Sequence, residues 1–324
     1  MQIQDIFAAY KDDMQQVEKH LDKYLSSDVK LIPEVCHHLI DSGGKRVRPL
    51  LLLISSRLCG FTGEQRFTAG AVLEFIHTAS LLHDDVIDEA TIRRGKTSAN
   101  NIWGNAVSVL VGDFLYTKAF KLMAETGNIP LVKLISGTVN AMSEGEVFQL
   151  MKCGDVSITE EEYLSIIEKK TAVLLSTACA AGAILSGAEQ DKIDALDRFG
   201  AKIGMAFQIT DDTLDYMAKE QEFGKSIGKD LEEGKLTLPL IFALRNATSV
   251  EKDKARELIA SKGQDEETIP VIAELIQKYK GIDYSLQCAA KYIRDAQTLL
   301  EIFGKGPETN QLYSMAEFIL ARQT

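Results

Sequence analysis

The stretch Leu81-Leu82-His83-Asp84-Asp85-Val86-Ile87-Asp88 closes a largely apolar segment with three carboxylates. Asp84 and Asp88 are four residues apart, which places both on one helical face, a turn from each other. At about 4 Å and an effective dielectric of about 20, two such charges repel by roughly 4 kcal/mol. A cation between them relieves that repulsion, and a hard divalent ion suits oxygen ligands. The pattern recurs far downstream in Gln208-Ile209-Thr210-Asp211-Asp212-Thr213-Leu214-Asp215, where Gln208, Asp211 and Asp215 share a face. A single such motif is as well explained by an exposed helix end. Two of them, on helices rich in small and apolar residues (Ala79 to Leu82, expected to be buried, and Gly204 to Phe207), specify a site.

Basic residues supply the complement. Gly43-Gly44-Lys45-Arg46-Val47-Arg48-Pro49 puts three cations in a turn before a helix start, where free backbone donors and the helix dipole also favour an anion. Arg93-Arg94-Gly95 follows the first acidic motif, Lys169-Lys170-Thr171 precedes an uncharged helix, and the loop from Gly224-Lys225 to Gly234-Lys235 follows the second motif. Lys169 and Lys229 read as solvated surface and are left out of the site. Acids that need a metal, beside Arg and Lys groups that fork onto oxyanions, describe a diphosphate ligand, with parts enough for two. No Walker loop, dinucleotide fingerprint or Ser-His-Asp ordering is present.

The elements that must position these groups are helices. Apolar residues recur at three and four along most of the chain, strand alternation is not sustained, and prolines number only six among 324 residues. Helices are expected over about 5–25, 27–43, 49–59, 64–89, 104–125, 130–150, 159–186, 190–219, 236–246, 250–262, 267–280, 282–303 and 307–322. No linker tract divides the chain, so residues 1–324 read as a single all-α domain, a large bundle around buried central helices. The uncharged run Thr171 to Ala188, with its threonines, glycines and alanines, reads as one of those helices and not as a membrane span. A formal net charge of -11 argues against nucleic-acid partners. Five scattered cysteines and an N-terminus without signal character point to a reduced, cytoplasmic protein.

Taken together, Gly43-Gly44-Lys45-Arg46-Val47-Arg48-Pro49, Asp84-Asp85-x-x-Asp88 with Arg93-Arg94-Gly95, Lys170-Thr171, and Gln208 with Asp211-Asp212-x-x-Asp215 resemble the signature set of the trans-polyprenyl diphosphate synthases. The match runs from about residue 30 to 240 and looks most like the bacterial octaprenyl branch, which supplies quinone side chains. The resemblance implies a helical bundle of the isoprenoid synthase type with a central cavity, a Mg²⁺-dependent prenyltransferase and a homodimer. Asp84, Asp88 and Asp211 would hold Mg²⁺ on the allylic diphosphate, with Asp85, Asp212 and Asp215 in support. Arg93, Lys170, Lys225 and Lys235 would contact that diphosphate. Lys45, Arg48, His77 and Arg94 would bind isopentenyl diphosphate without metal. Thr171 and Gln208 would turn oxygens toward the developing cation. One departure stands out: short-chain relatives tend to carry Asp where this chain has Gln149, in Glu144-Gly145-Glu146-Val147-Phe148-Gln149, so that position is not given to a metal.

Product length is expected to depend on Ile76, Ala79 and Ser80, before the first motif, with Met123, Leu131 or Ile135 as a tunnel floor; ordinary core is the competing reading of the latter three. The competing functions are a terpene cyclase, which has no use for the isopentenyl site, and a non-catalytic partner subunit, which would be free to lose an acidic motif. No membrane-spanning segment is expected, although a long lipid product must reach membrane enzymes.

Overall fold

In the computed structural model, residues 2–217, 228–260 and 268–321 are described. They form helices almost throughout, gathered into two compact units. The first comprises Met1–Val139, Leu174–Asp197 and Leu300–Ser314; the second comprises Asn140–Val173, Arg198–Leu299 and Met315–Thr324.

The first unit begins with α1 (Ile3–Ala9) and α2 (Lys11–Leu25), separated at Tyr10 where one helix was expected. Tyr10 is buried and its hydroxyl donates to Gln311, so the apolar pattern runs on across the break. After α3 (Leu31–Ile40) comes α4 (Val47–Leu58), in which every residue from Pro49 to Ser56 is buried. A helix apolar on all sides belongs inside a bundle. The long α5 (Gln65–Ile87) packs against α2, α4 and α7 (Asn105–Glu125), the last reached through the short α6 (Ala99–Trp103). Leu82 is buried as expected, but Ser80 and Leu81 are only half-buried.

Between α5 and α6 lies a hairpin too short to leave a periodic signature, β1 (Ile92–Arg93) and β2 (Lys96–Thr97), antiparallel with Arg93 opposite Lys96. Its two-residue turn has Arg94 at φ 52° and Gly95 at φ 77°, the paired positive angles whose twist suits a tight hairpin.

The helix α8 (Ile129–Lys152) is followed by α9 (Glu160–Ile167), which starts with a capping box: Thr159 Oγ1 accepts from the Glu162 amide and the Glu162 carboxylate accepts from the Thr159 amide. Within the helix expected over 159–186, α9 is followed by a π-helical turn at Glu168–Ala172 and then by α10 (Val173–Ser186). The uncharged α10 is buried from Leu174 to Ala183, and no helix among the described residues is long and apolar enough to cross a membrane. Then come α11 (Gln190–Met217), a short α12 (Lys229–Glu232), α13 (Leu238–Asn246), α14 (Ser249–Ala260), α15 (Thr268–Lys278), α16 (Gly281–Leu299) and α17 (Pro307–Ala321). In the second unit α13 and α16 are joined by a stacked pair, Phe242 on Tyr284, with centroids 3.9 Å apart.

Candidate active site

In the first unit, the turn before α4 and the hairpin after α5 converge. Arg46 caps α4 in a left-handed conformation, φ 47°, a strained geometry for a side chain with a Cβ. Its guanidinium is spent on holding that geometry, donating to Glu18 (3.0 Å), Glu74 (2.9 Å) and the Ile40 carbonyl (2.9 Å). Arg94 donates to the Gly43 carbonyl, and a Cβ at Gly44 would lie 3.0 Å from its Nη1. The two glycines therefore form a seat for Arg94. Arg48 is half-buried, and its Nε has no hydrogen-bond partner among the described residues. Burial, and then the charge of Arg94 against the opposing pull of Glu74, lower the Arg48 pKa. His77 is held neutral, well below its ordinary value, by burial and then by Arg48, Arg94, Arg93 and Arg46. A neutral imidazole among guanidinium groups, with a buried N–H unspent, is a seat for an anion that brings its own charge.

The first acidic motif ends α5, with Asp88 as its C-cap. The helix dipole is negative there, so Asp84 and Asp88 carry a second electrostatic cost beyond their mutual repulsion. Asp85 differs. It is fully buried, accepts from Arg93 Nε at 2.5 Å, and its backbone carbonyl accepts from Asn100 Nδ2 at 3.1 Å. Asp85 therefore orients Arg93 and fastens the hairpin, while Asp84 and Asp88 stay partly open to solvent. Ile76, Ala79, Met123 and Ile135 are buried in the same unit.

In the second unit the π-helical turn presents Lys170 and Thr171. Thr171 Oγ1 donates to Gln208 Oε1 (2.9 Å), and Gln208 Nε2 donates to Asp212 Oδ1 (2.6 Å). Tyr163 completes the chain, donating to Asp212 Oδ2 at 2.6 Å. Asp212 is pushed up to about 6 by burial, tempered by the Tyr163 and Gln208 bonds and raised further by Asp211 and Asp215. It is a brace, as Asp85 is in the first unit. Asp215 accepts from the Asp230 amide at 3.1 Å. Asp230 joins this acidic group, its pKa raised by burial and then by Asp212 and Asp215. Lys235 is engaged with Glu233 at 2.6 Å. Lys169 and Lys229, left out of the site, pair with Glu144 and Glu233. Lys225 lies outside the described residues. Sequence reasoning missed Tyr163 and Glu146, which accepts from Lys170 at 2.7 Å; the helical spacing of Glu146 and Gln149 was the available signal.

Among the described residues no three His, Cys, Asp or Glu side chains converge to hold an ion alone. Mg²⁺ is commonly bound by one or two carboxylates together with substrate phosphates and waters, so pairs such as Asp84 and Asp88 suit an ion that arrives with a diphosphate.

Residues 29–276 match the model of the polyprenyl synthetase family. The chain belongs to that family. An octaprenyl diphosphate synthase of Haemophilus influenzae is 40% identical over 98% of this chain and 96% of that protein. Among solved structures, a decaprenyl diphosphate synthase from Rhodobacter capsulatus superposes with a TM-score of 0.95 at 38% identity, covering 99% of both chains. A polyprenyl synthase from Caulobacter crescentus, complexed with calcium and isoprenyl diphosphate, gives 0.93 at 38% identity, with 99% of this chain and 98% of that one covered. The fold is accordingly the all-α isoprenoid synthase fold, and this polyprenyl synthetase is a prenyltransferase.

Proposed function

We propose that this polyprenyl synthetase joins isopentenyl diphosphate head-to-tail onto an allylic diphosphate such as farnesyl diphosphate, giving a long-chain product of octaprenyl length. The observation that carries this reading is the seat formed by Arg48, Arg94 and neutral His77, an anion site with no metal-binding acid motif of its own. Lys45 and these three residues take the isopentenyl diphosphate there. A terpene cyclase would have no substrate for that seat.

Asp84, Asp88 and Asp211 are the residues that would hold Mg²⁺, a reading supported by the calcium and isoprenyl diphosphate bound in the Caulobacter relative. The bound ion supplies charge neutralisation to a departing diphosphate. Arg93, oriented by Asp85, and Lys170 contact that diphosphate, with Lys225 and Lys235 as further cations of the same loop region. The allylic C–O bond then ionises without a protein nucleophile. Thr171 Oγ1 and Gln208 Oε1, placed side by side, set oxygen lone pairs toward the allylic cation. The isopentenyl double bond attacks that cation, and the proton lost goes to the departed diphosphate. The apolar surroundings exclude water that would quench the cation.

Residues 1–324 act in this reading as one synthase domain. A homodimer is part of it, supported by apolar residues left exposed on α6 and α7, namely Ile102, Val109 and Leu110. The product is handed to membrane enzymes that build quinone side chains, from a protein placed in the cytoplasm. The deciding experiment incubates the purified chain with Mg²⁺, farnesyl diphosphate and labelled isopentenyl diphosphate. Octaprenyl diphosphate is the expected product; hydrocarbons would establish a cyclase, and no turnover a non-catalytic subunit.

A further inference from the structure

Lys170 does not project freely from its helix. Its turn is π-helical, an arrangement that widens the helix by one residue and recurs at functional sites. Two glycines grip it. A Cβ at Gly145 of α8 would lie 2.8 Å from Lys169 Cβ and 2.9 Å from the Lys170 amide nitrogen. A Cβ at Gly204 of α11 would lie 2.5 Å from Ala172 Cα. With the backbone fixed, the ammonium is fixed as well: Nζ meets Glu146 Oε2 at 2.7 Å and donates to Gln149 Oε1 at 2.7 Å. Glu146 and Gln149 are three apart on α8, so both reach the same point. Both members of the ion pair are largely shielded, Lys170 with 21% and Glu146 with 17% of the side chain exposed. Two of the three ammonium donors are thereby used, one on a carboxylate and one on a neutral amide.

A half-buried cation that must bind and then release a diphosphate in every cycle faces two opposite costs. Without a counter-charge it would be left uncompensated each time the diphosphate departs, and it would hold the diphosphate too tightly. With two carboxylates it would be closed to another anion. We propose that Glu146 is a built-in competitor of the transferred diphosphate for Lys170, and that Gln149 confines the competition to one carboxylate. Both are positioning residues acting through Lys170, and the inference rests on the reading of Lys170 as a diphosphate contact. The neutral amide at 149, the site of the departure noted in the sequence, thus sets how firmly the diphosphate is held.

The test uses the full chain with Mg²⁺ and measures, by calorimetry, the binding of inorganic diphosphate and of the unreactive thiolo analogue of farnesyl diphosphate. Glu146→Gln keeps the hydrogen bond and removes the charge, so affinity should rise about tenfold, or about 1.4 kcal/mol. Gln149→Glu adds a charge at the same point and should lower affinity about tenfold. The double variant Glu146→Gln/Gln149→Glu returns the count to one carboxylate and should bind close to wild type. High salt should narrow all these differences, because charge and not packing produces them. In steady state Glu146→Gln should lower the KM for the allylic substrate together with kcat, as diphosphate leaves more slowly. Single variants that shift the same way, or do not shift, overturn the proposal provided that Lys170→Ala still weakens binding. If Lys170→Ala leaves binding unchanged, Lys170 is no diphosphate contact, and that reading falls together with this one. Should one variant fold poorly in a thermal scan, the sign of the other decides.

Discussion

Arg48 combines a buried Nε that has no hydrogen-bond partner among the described residues with a depressed pKa, two costs that an incoming oxyanion would relieve together. Arg48→Met removes the donor and the charge while keeping much of the stem. The KM for isopentenyl diphosphate should rise about ten- to a hundredfold, as expected for charge-assisted hydrogen bonds, with the allylic KM nearly unchanged. Initial rates with each substrate varied in turn check this. In the second unit the Tyr163 hydroxyl of α9 braces the buried Asp212 carboxylate of α11, so Tyr163→Phe should cost about 2 kcal/mol in urea unfolding. Residue types and spacing made Asp84, Asp88, Asp211 and the Arg/Lys clusters candidates, because a period of four decides which side chains share a face. They could not show that Asp85 and Asp212 turn inward to Arg93 and to Tyr163, since the partner of Asp212 lies 49 residues away. Spacing gives the face but not the neighbour.

At the scale of elements, helix existence followed from the apolar repeat, and the misses have specific causes. The break at Tyr10 is invisible because the buried stripe continues from Ile6 through Val17 and Leu21. The π-helical turn leaves no mark because Glu168, Lys169, Lys170 and Thr171 are ordinary helix-surface residues, and the two glycines packed against it, Gly145 and Gly204, lie far from it in sequence. That packing predicts opposite outcomes for one substitution at two places on α8. Gly145→Ala meets backbone within 3 Å and should destabilise by about 1–3 kcal/mol. Gly137→Ala meets nothing within 4 Å and should stabilise by about 0.5–1 kcal/mol through helix propensity. Urea midpoints of the two variants decide. On α5, Ala79 is fully buried one turn and a residue before Asp84; if the growing chain passes it, as the role in product length expected of Ile76, Ala79 and Ser80 requires, a large ring there would leave it no room. Ala79→Tyr should shorten the products, whereas Met123→Ala or Ile135→Ala should lengthen them. Chromatography of the prenyl chains reads both, and an unshortened product from Ala79→Tyr would sink the tunnel assignment.

At the scale of the whole molecule, the net charge of -11 coexists with local positive seats, so an overall negative field does not prevent small anions from being held locally. A surface otherwise rich in charge makes its apolar exceptions informative. Scattered exposed apolar residues need no explanation, but Val109 and Leu110 are consecutive on α7 and Leu110 is 67% exposed. Val250 on α14, at 75%, is an exposed apolar residue with no exposed large apolar neighbour close to it in sequence and serves as a control. A two-fold contact brings the same patch from each copy together, so one substitution acts on both sides of the interface. If the proposed homodimer closes on this face, Leu110→Glu should therefore place two like charges in an apolar contact and give a monomer in size-exclusion chromatography with light scattering. Val250→Glu should leave the dimer intact. A dimer that survives Leu110→Glu removes this face of α7 from the interface. A monomer that also loses prenyl transfer would show that association supports the site.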